Sequence, residues 1–157
     1  MRANFLPALK AEIKAVVKFN LNGDYEDQEP VKAGVIFKVL DQAQFDAYVD
    51  KAKQVKDLLV ERRELSEKAQ PKTAKAIEKR NQQLADIDDQ FAKLNEQILQ
   101  TVKDNIVGYS HEVEPGKFEP TTVTEEEFNN LAITTDFVIN LVRTFSDQQK
   151  AAARKNS

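Results

Sequence analysis

Two segments near the start of the sequence alternate between apolar and polar residues. In residues 11–20 every second position is apolar, namely Ile13, Ala15, Val17 and Phe19. Residues 31–40 repeat the pattern with Val31, Ala33, Val35, Phe37 and Val39. A period of two with β-branched and aromatic residues is typical of strands that bury one face. Asn22-Gly23 and Pro30 favour a turn between them, so residues 11–40 are predicted to form an antiparallel β-hairpin.

The next stretch has the spacing of an amphipathic helix. Asp41 is followed three residues later by Gln44, the pattern of a capping box at a helix N-terminus. Apolar residues then recur every three or four positions, at Phe45, Tyr48, Ala52, Val55 and Leu59. Pro71 interrupts this pattern and suits the first turn of a new helix. Residues 42–107 are therefore predicted to form a helical hairpin that is broken at Pro71.

The second half of this hairpin carries a narrow apolar stripe of the kind found in coiled coils. The stripe follows a seven-residue repeat with its complementary positions, at Ile77, Leu84, Ile87, Phe91, Leu94 and Ile98. No glycine or proline occurs from Lys72 to Val107, and a helix of that extent would be about 54 Å long. A compact chain of this size is only about 40 Å across. We therefore expect the helical hairpin to project, or the stripe to be an oligomer seam that pairs with another subunit.

The sequence then turns to loop-forming residues and returns to helix. Residues 108–123 contain two glycines and two prolines and are predicted to be a loop with a short extended piece. Thr124 and Glu127 form a second capping box, so residues 124–153 are predicted to hold two helices separated by a break at 133–135. Their apolar positions are Phe128, Leu131, Val138, Leu141, Val142 and Phe145. The residues after Ala151 lack an apolar anchor and are expected to fray.

These elements predict an α+β fold that is mostly α, in a single domain over residues 1–157. It would combine the N-terminal antiparallel β-hairpin, a long projecting helical hairpin and a C-terminal helical pair. Four glycines and five prolines among 157 residues agree with long elements and few turns.

The composition leaves few chemistries available. The net charge of −3 lacks the basic excess of a general nucleic-acid binder. The absence of cysteine excludes disulfides, thiol nucleophiles and Cys-ligated zinc, and a single histidine, His111, excludes a His-rich metal site. Four glycines cannot build a nucleotide-binding loop, and the glutamates at 125–127 are expected to complement a helix dipole. We therefore predict no enzyme activity and no catalytic, cofactor-binding or metal-binding residues.

Two other features of the sequence bear on its partners. No apolar run approaches the roughly 20 residues of a membrane span, and residues 1–10 contain Pro7 and no signal-peptide core, so a cytoplasmic protein without a membrane partner is expected. Residues 61–80, the expected tip of the hairpin, carry a net charge of +3, whereas residues 111–127 carry −5. These segments are either solvated faces or complementary contact surfaces, within one chain or between copies.

Several short motifs follow one another along the chain. Phe37-Lys38-Val39-Leu40 precedes an acidic helix, Val107-Gly108-Tyr109 and Gly116 precede Thr124-Glu125-Glu126, and Lys155-Asn156 stands near the end. In this order they resemble the F-K-x-L segment, the V-G-W … G-x-P-x-x-F-(S/T)-x-E passage and the K-N finish of tail assembly chaperones of long-tailed bacteriophages. Tyrosine here replaces the tryptophan of the family passage. The resemblance covers roughly residues 10–60 and 100–157, while the segment 112–120 is rearranged and residues 61–99 are not explained by it.

The resemblance implies a non-enzymatic assembly factor. Such chaperones bind the long, helical tape-measure protein and keep it soluble until the tail tube polymerises around it. The implied partner is the tape-measure protein, with the tail tube protein as an additional candidate. Self-association is expected separately, from the uncovered strand faces and the long apolar stripe. The implied location is the host cell cytoplasm, and the protein is not expected in the mature virion.

A helical, apolar client would need an apolar contact surface. The candidate partner-binding residues are Ile106, Val107, Tyr109, Phe118 and Phe128. The same residues also fit a core beneath the last two helices, because apolar residues at helical spacing usually pack inside. Two other functions stay open: a virion structural component, such as a connector or tail-terminator subunit, and a coiled-coil regulatory adaptor that dimerises through the long helix.

Overall fold

The computed structural model describes residues 12–20, 30–132 and 135–156. Its elements, in chain order, are β1 (Glu12–Phe19), β2 (Val31–Lys38), α1 (Gln42–Glu67), α2 (Ala74–Asp104), β3 (Ile106–Glu114), β4 (Lys117–Thr121), α3 (Glu125–Ala132) and α4 (Thr135–Asn156). The fold is α+β and mostly α, with an N-terminal antiparallel β-hairpin, as predicted. The predicted turn at Asn22-Gly23 and the predicted break at Ile133-Thr134 lie outside the described residues.

The predicted hairpin has the expected faces along β1, whereas on β2 the predicted inward residue Val31 is 39% exposed. β1 and β2 pair in antiparallel register from Glu12 opposite Lys38 to Phe19 opposite Val31. Along β1, alternate residues are buried, at Ala15, Val17 and Phe19, while those between them are exposed. The period of two in the sequence therefore corresponds to one face against the core and one face in solvent.

Residues 108–123 are not the loop that their glycines and prolines predict. They form most of β3 and all of β4, which extend the sheet in the order β1-β2-β3-β4. Only Pro115 and Gly116 make the turn, where Gly116 has a φ of 78° that other residues rarely adopt. Pro120 is tolerated because β4 is an edge strand, where a missing N–H does not break a ladder on both sides.

Helix α4 supplies the other half of this core. Its buried positions recur every four residues, at Phe137, Leu141, Phe145 and Gln149. The Phe137 ring meets Phe19 edge-to-face at 4.9 Å between centroids, and the Phe145 ring meets Phe37 in the same way at 5.1 Å. Val138 and Val142, predicted on the same stripe, are half-buried beside it. The helix continues to Asn156, so the predicted fraying after Ala151 is wrong.

The N-terminus of α3 has the capping box that the sequence predicts. The Glu127 amide donates to the Thr124 hydroxyl oxygen at 3.1 Å, and the Thr124 amide donates to the Glu127 carboxylate at 3.3 Å. Two amides that the helix cannot pair internally are satisfied by this reciprocal arrangement.

The chain divides into two compact units. One contains residues 1–41 and 102–157, with the sheet, α3 and α4, and the other contains residues 42–101. The expectation of a single domain stays a prediction, because compactness alone does not decide whether the two units fold together.

The second unit holds the predicted helical hairpin, interrupted around Pro71. The predicted end at Val107 is wrong, because α2 ends at Asp104 and Ile106 already belongs to β3. α1 ends at Glu67 and α2 begins at Ala74, after Thr73 accepts a hydrogen bond from the Ala76 amide through its hydroxyl at 3.1 Å. The antiparallel pairing is visible in two contacts between the helices. Arg62 Nε donates to Asp88 Oδ1 at 2.8 Å, and Arg80 Nη2 donates to the Ser66 carbonyl oxygen at 3.2 Å.

Candidate functional site

The predicted helical seam lies along the inner face of the hairpin. On α2, Ile87 and Ile98 are buried, and the other predicted seam residues are half-buried: Ile77, Leu84, Phe91 and Leu94. On α1, Tyr48 and Leu58 are buried, and the half-buried residues are Phe45, Lys51, Val55 and Leu65. Spacings of three and four on both helices are those of a coiled-coil-like pair.

Three of the five positions predicted on the α1 stripe are buried or half-buried, and the two exposed ones are Ala52 and Leu59. Leu58 is 9% exposed, whereas Leu59, which the sequence places on the stripe, is 50% exposed. The expectation that Leu59 is part of the buried face is therefore wrong. Tyr48, Leu58 and Leu65 are separated by ten and seven residues, which are sums of the coiled-coil spacings of three and four. Leu59 follows Leu58 directly and therefore lies about 100° further round the helix.

Leu59 belongs to a second, exposed surface of α1. Val49 and Val60 are also large apolar residues that stay exposed, and Ala52 lies between them in sequence. We call Val49, Ala52, Leu59 and Val60 the α1 outer surface. Large exposed apolar side chains grouped on one helix are typical of surfaces that contact another chain.

The α1 outer surface is bordered by charges of both signs, because Asp46, Asp57 and Glu64 are exposed one helical turn from Val49 or Val60. Lys53, Lys56 and Arg63 are exposed on the same helix. Arg62, by contrast, is held by Asp88, whose hydrogen bond and negative charge raise the pKa of the Arg62 guanidinium above its ordinary value.

The five candidate partner-binding residues of the sequence do not form one surface. Val35, Tyr109 and Thr121 lie opposite one another across three strands, which places Tyr109 on the same face of the sheet as the buried Val35. Phe118 lies opposite Glu112, three positions from Tyr109 along β3, and therefore on the other face. Both rings are half-buried, and burial raises the pKa of the Tyr109 hydroxyl.

Ile106 and Val107 occupy an irregular point of the sheet. Ile36 pairs with Gly108 and Phe37 pairs with Ile106, so Val107 is an additional residue on β3 without an opposite partner on β2. Val107 is 52% exposed as a result, and Ile106 is half-buried. Of the candidate residues, Val107 is the one with most of its side chain available.

Phe128 is part of the core. Its side chain is 3% exposed, and its ring centroid lies 6.0 Å from that of Phe137 in an edge-to-face arrangement. Lys103 Nζ lies 5.0 Å from the centre of the same ring. For this residue the structure agrees with the interpretation of a core beneath the last two helices.

Within residues 12–20, 30–132 and 135–156, no group of three or more acidic or histidine side chains is placed to hold a metal ion. None of the helices in that part of the chain is both long and apolar enough to cross a bilayer. No protein-family model, curated protein or solved structure matches this chain. The α1 outer surface, with its exposed Val49, Leu59 and Val60, is the candidate surface for binding another protein.

Proposed function

We propose that this chain is a non-enzymatic tail assembly chaperone of a long-tailed bacteriophage. It binds the tape-measure protein in the host cytoplasm and keeps that protein soluble while the tail tube assembles. The motif resemblance described above suggests the class of protein, and the surface of α1 supports a role in binding.

The observation that carries the proposal is the exposure of Leu59. The side chain lies beside a regular coiled-coil face yet is half exposed, and Val49 and Val60 on the same helix are exposed with it. Burying apolar area of this kind contributes about 25 cal/mol per Å² removed from water. A helix that already packs one face on α2 therefore retains apolar area for a second helix.

The client of a tape-measure chaperone suits such a surface. A long helical protein without its tube exposes apolar stripes along its length, and these stripes drive aggregation. Docking one stripe on α1 would bury it against Leu59 and its neighbours, in the mode by which amphipathic helices bind apolar grooves.

Co-expression with the tape-measure protein of the same phage tests the proposal. We expect the native chain to raise the soluble fraction of the client several-fold. Leu59→Ser should lower that fraction, because the substitution removes apolar contact area without disturbing a buried position. Ile139→Ser is the matched control, since Ile139 on α4 is 49% exposed and Leu59 is 50% exposed.

Three outcomes would contradict different parts of the proposal. A client that is equally insoluble with and without this chain would rule out the chaperone function. Equal losses with Leu59→Ser and Ile139→Ser would show that α1 is not the binding surface. Detection of the chain at a fixed copy number in purified particles would instead favour a virion structural component.

A further inference from the structure

The two edges of the four-stranded sheet differ in how they are protected. The β4 edge is five residues long and includes Pro120, which has no N–H to donate. Short strands and prolines are common means of preventing an edge from pairing with another chain. β1 forms the other edge, is eight residues long, pairs regularly throughout and contains no proline or glycine.

The outer edge of β1 has no partner within the described part of the chain. β1 pairs there with β2 alone, and it is the first strand in the sheet order. A strand at an edge presents a row of unsatisfied amide and carbonyl groups. An added strand would satisfy them and would also have to continue both faces of the sheet.

β1 itself has the alternation that such an added strand needs. Its core face carries Ala15 and Val17, and its exposed face carries Glu12, Lys14, Val16 and Lys18. Two copies of β1 related by a twofold axis normal to the sheet would be antiparallel and would keep their core faces on the same side. Registers that pair odd with even positions would instead set a buried valine opposite a charged residue.

Two face-matched registers pair seven residues of β1, and the charges favour one of them. With Ala15 opposite Ala15, Glu12 lies opposite Lys18, and symmetry produces this attractive pair twice. With Val16 opposite Val16, Lys14 lies opposite Lys18 twice, and like charges directly opposite are destabilising. Lys14 and Lys18 thus oppose pairing of two β1 strands about Val16 but allow pairing about Ala15, where Lys18 meets Glu12.

We propose that β1 is a homodimer interface, in which β1 strands of two copies pair antiparallel about Ala15 and join the two sheets into one. The partner is a second copy of this chain, because β1 complements its own pattern of burial and charge. The surface is separate from the α1 outer surface, so the proposal does not depend on the chaperone function.

Sedimentation equilibrium of the full chain and its charge variants tests this interface. The native chain should have a mass of about twice 17.8 kDa. Glu12→Lys places four lysines in two repulsive pairs and should weaken dimerisation by about tenfold or more. The double variant Glu12→Lys with Lys18→Glu restores two attractive pairs and should recover the native dissociation constant, with circular dichroism confirming that each variant is folded.

Directed disulfides test the register. The chain has no cysteine, so every cross-link comes from the introduced residues. Glu12→Cys with Lys18→Cys should cross-link between copies on mild oxidation, and several times faster than Lys14→Cys with Lys18→Cys, which matches the register about Val16.

Three results would overturn the proposal. The first is a native chain that remains at 17.8 kDa at every concentration. The second is a dimer that none of the charge variants weakens, which would move the interface to another surface such as the α2 seam. The third is a double variant no tighter than Glu12→Lys alone.

Discussion

The side chain of Gln149 accepts a hydrogen bond from the backbone amide of Leu40. The Leu40 nitrogen lies 3.0 Å from Gln149 Oε1, and Gln149 Nε2 donates to the Lys38 carbonyl oxygen at 2.9 Å. Gln149 is 2% exposed. Its side-chain amide supplies hydrogen bonds to backbone groups at the end of β2 that have little access to water. The Lys38 amide donates in turn to the Asn105 carbonyl oxygen at 2.7 Å. The chain leaving β2 is thus fixed by residues far away in sequence.

Gln149→Ala should destabilise the protein strongly. The substitution leaves the buried Leu40 amide and the part-buried Lys38 carbonyl without Gln149, and losing the partner of a buried group costs about 1–3 kcal/mol. We expect the free energy of unfolding, measured by urea denaturation, to fall by about 2–4 kcal/mol. Gln148→Ala, at the half-buried neighbouring position, should change it by about 0.5 kcal/mol or less. Similar losses for the two variants would show that the hydrogen bonds of Gln149 contribute little.

The burial of Gln149 could not be predicted from the sequence. Its three predecessors on the buried stripe of α4 are apolar, but a glutamine at the fourth position resembles an ordinary surface residue. The signal for its burial is a pair of backbone groups more than a hundred positions earlier, at the end of β2. Local periodicity contains no information about such a contact.

Elements defined by strong local patterns were predicted well. The alternation in β1 and β2, the helix break around Pro71 and the capping box of Thr124 each depend on a few neighbouring residues. The strands β3 and β4 were missed because their glycines and prolines indicate a loop. β3 becomes a strand through pairing with β2, a tertiary contact that outweighs local preference, and β4 pairs with β3. The candidate contact patch failed to cluster for a related reason, since strand register decides which residues share a face.

Leu58 and Leu59 are neighbouring residues of the same type, so truncating each in turn tests which of them is packed on the inner face of α1. Leu58→Ala removes a buried side chain and should lower the free energy of unfolding by about 2–4 kcal/mol. Leu59→Ala removes a half-exposed one and should lower it by less than about 1 kcal/mol. Thermal melts followed by circular dichroism at 222 nm would measure both. A larger loss for Leu59 would mean that the stripe predicted from the sequence is the packed one.

The α2 side of the seam can be tested in the same hairpin. Replacing Phe91 and Leu94 together by serine removes two half-buried apolar side chains from the seam and should reduce helicity and melting temperature. Lys93→Ser changes an exposed residue between them and serves as the control. Unchanged melting of the double variant would show that the seam is not packed.

Gly34 and Gly108 face different surroundings on neighbouring strands. A Cβ added at Gly34 would overlap the Ser110 side chain and lie 2.9 Å from the Ser110 carbonyl oxygen, whereas a Cβ at Gly108 would meet Ile36 at 3.4 Å. Gly34→Ala should therefore destabilise the sheet by about 1–3 kcal/mol. Gly108→Ala should be neutral or stabilise slightly, because alanine loses less backbone entropy on folding than glycine.

Adding Ser110→Gly to Gly34→Ala should recover part of the loss. The second substitution removes the overlapping side chain but leaves the carbonyl oxygen in place. Equal stability of Gly34→Ala and Gly108→Ala would show that β2 and β3 are not packed as closely as their register indicates.

The contact between Phe19 and Phe137 joins β1 to α4 and can be measured as a coupling energy. The rings meet edge-to-face, a geometry that contributes about 0.5–1.5 kcal/mol beyond burial of area. Phe19→Leu and Phe137→Leu keep an apolar side chain at each site but remove the ring pair. Together they should destabilise less than the sum of their separate effects, by about 1 kcal/mol. The same cycle with Ile139→Ala in place of Phe137→Leu should give no coupling, since Ile139 is half exposed. Additive losses for the two phenylalanines would mean that α4 is positioned by general burial rather than by this ring pair.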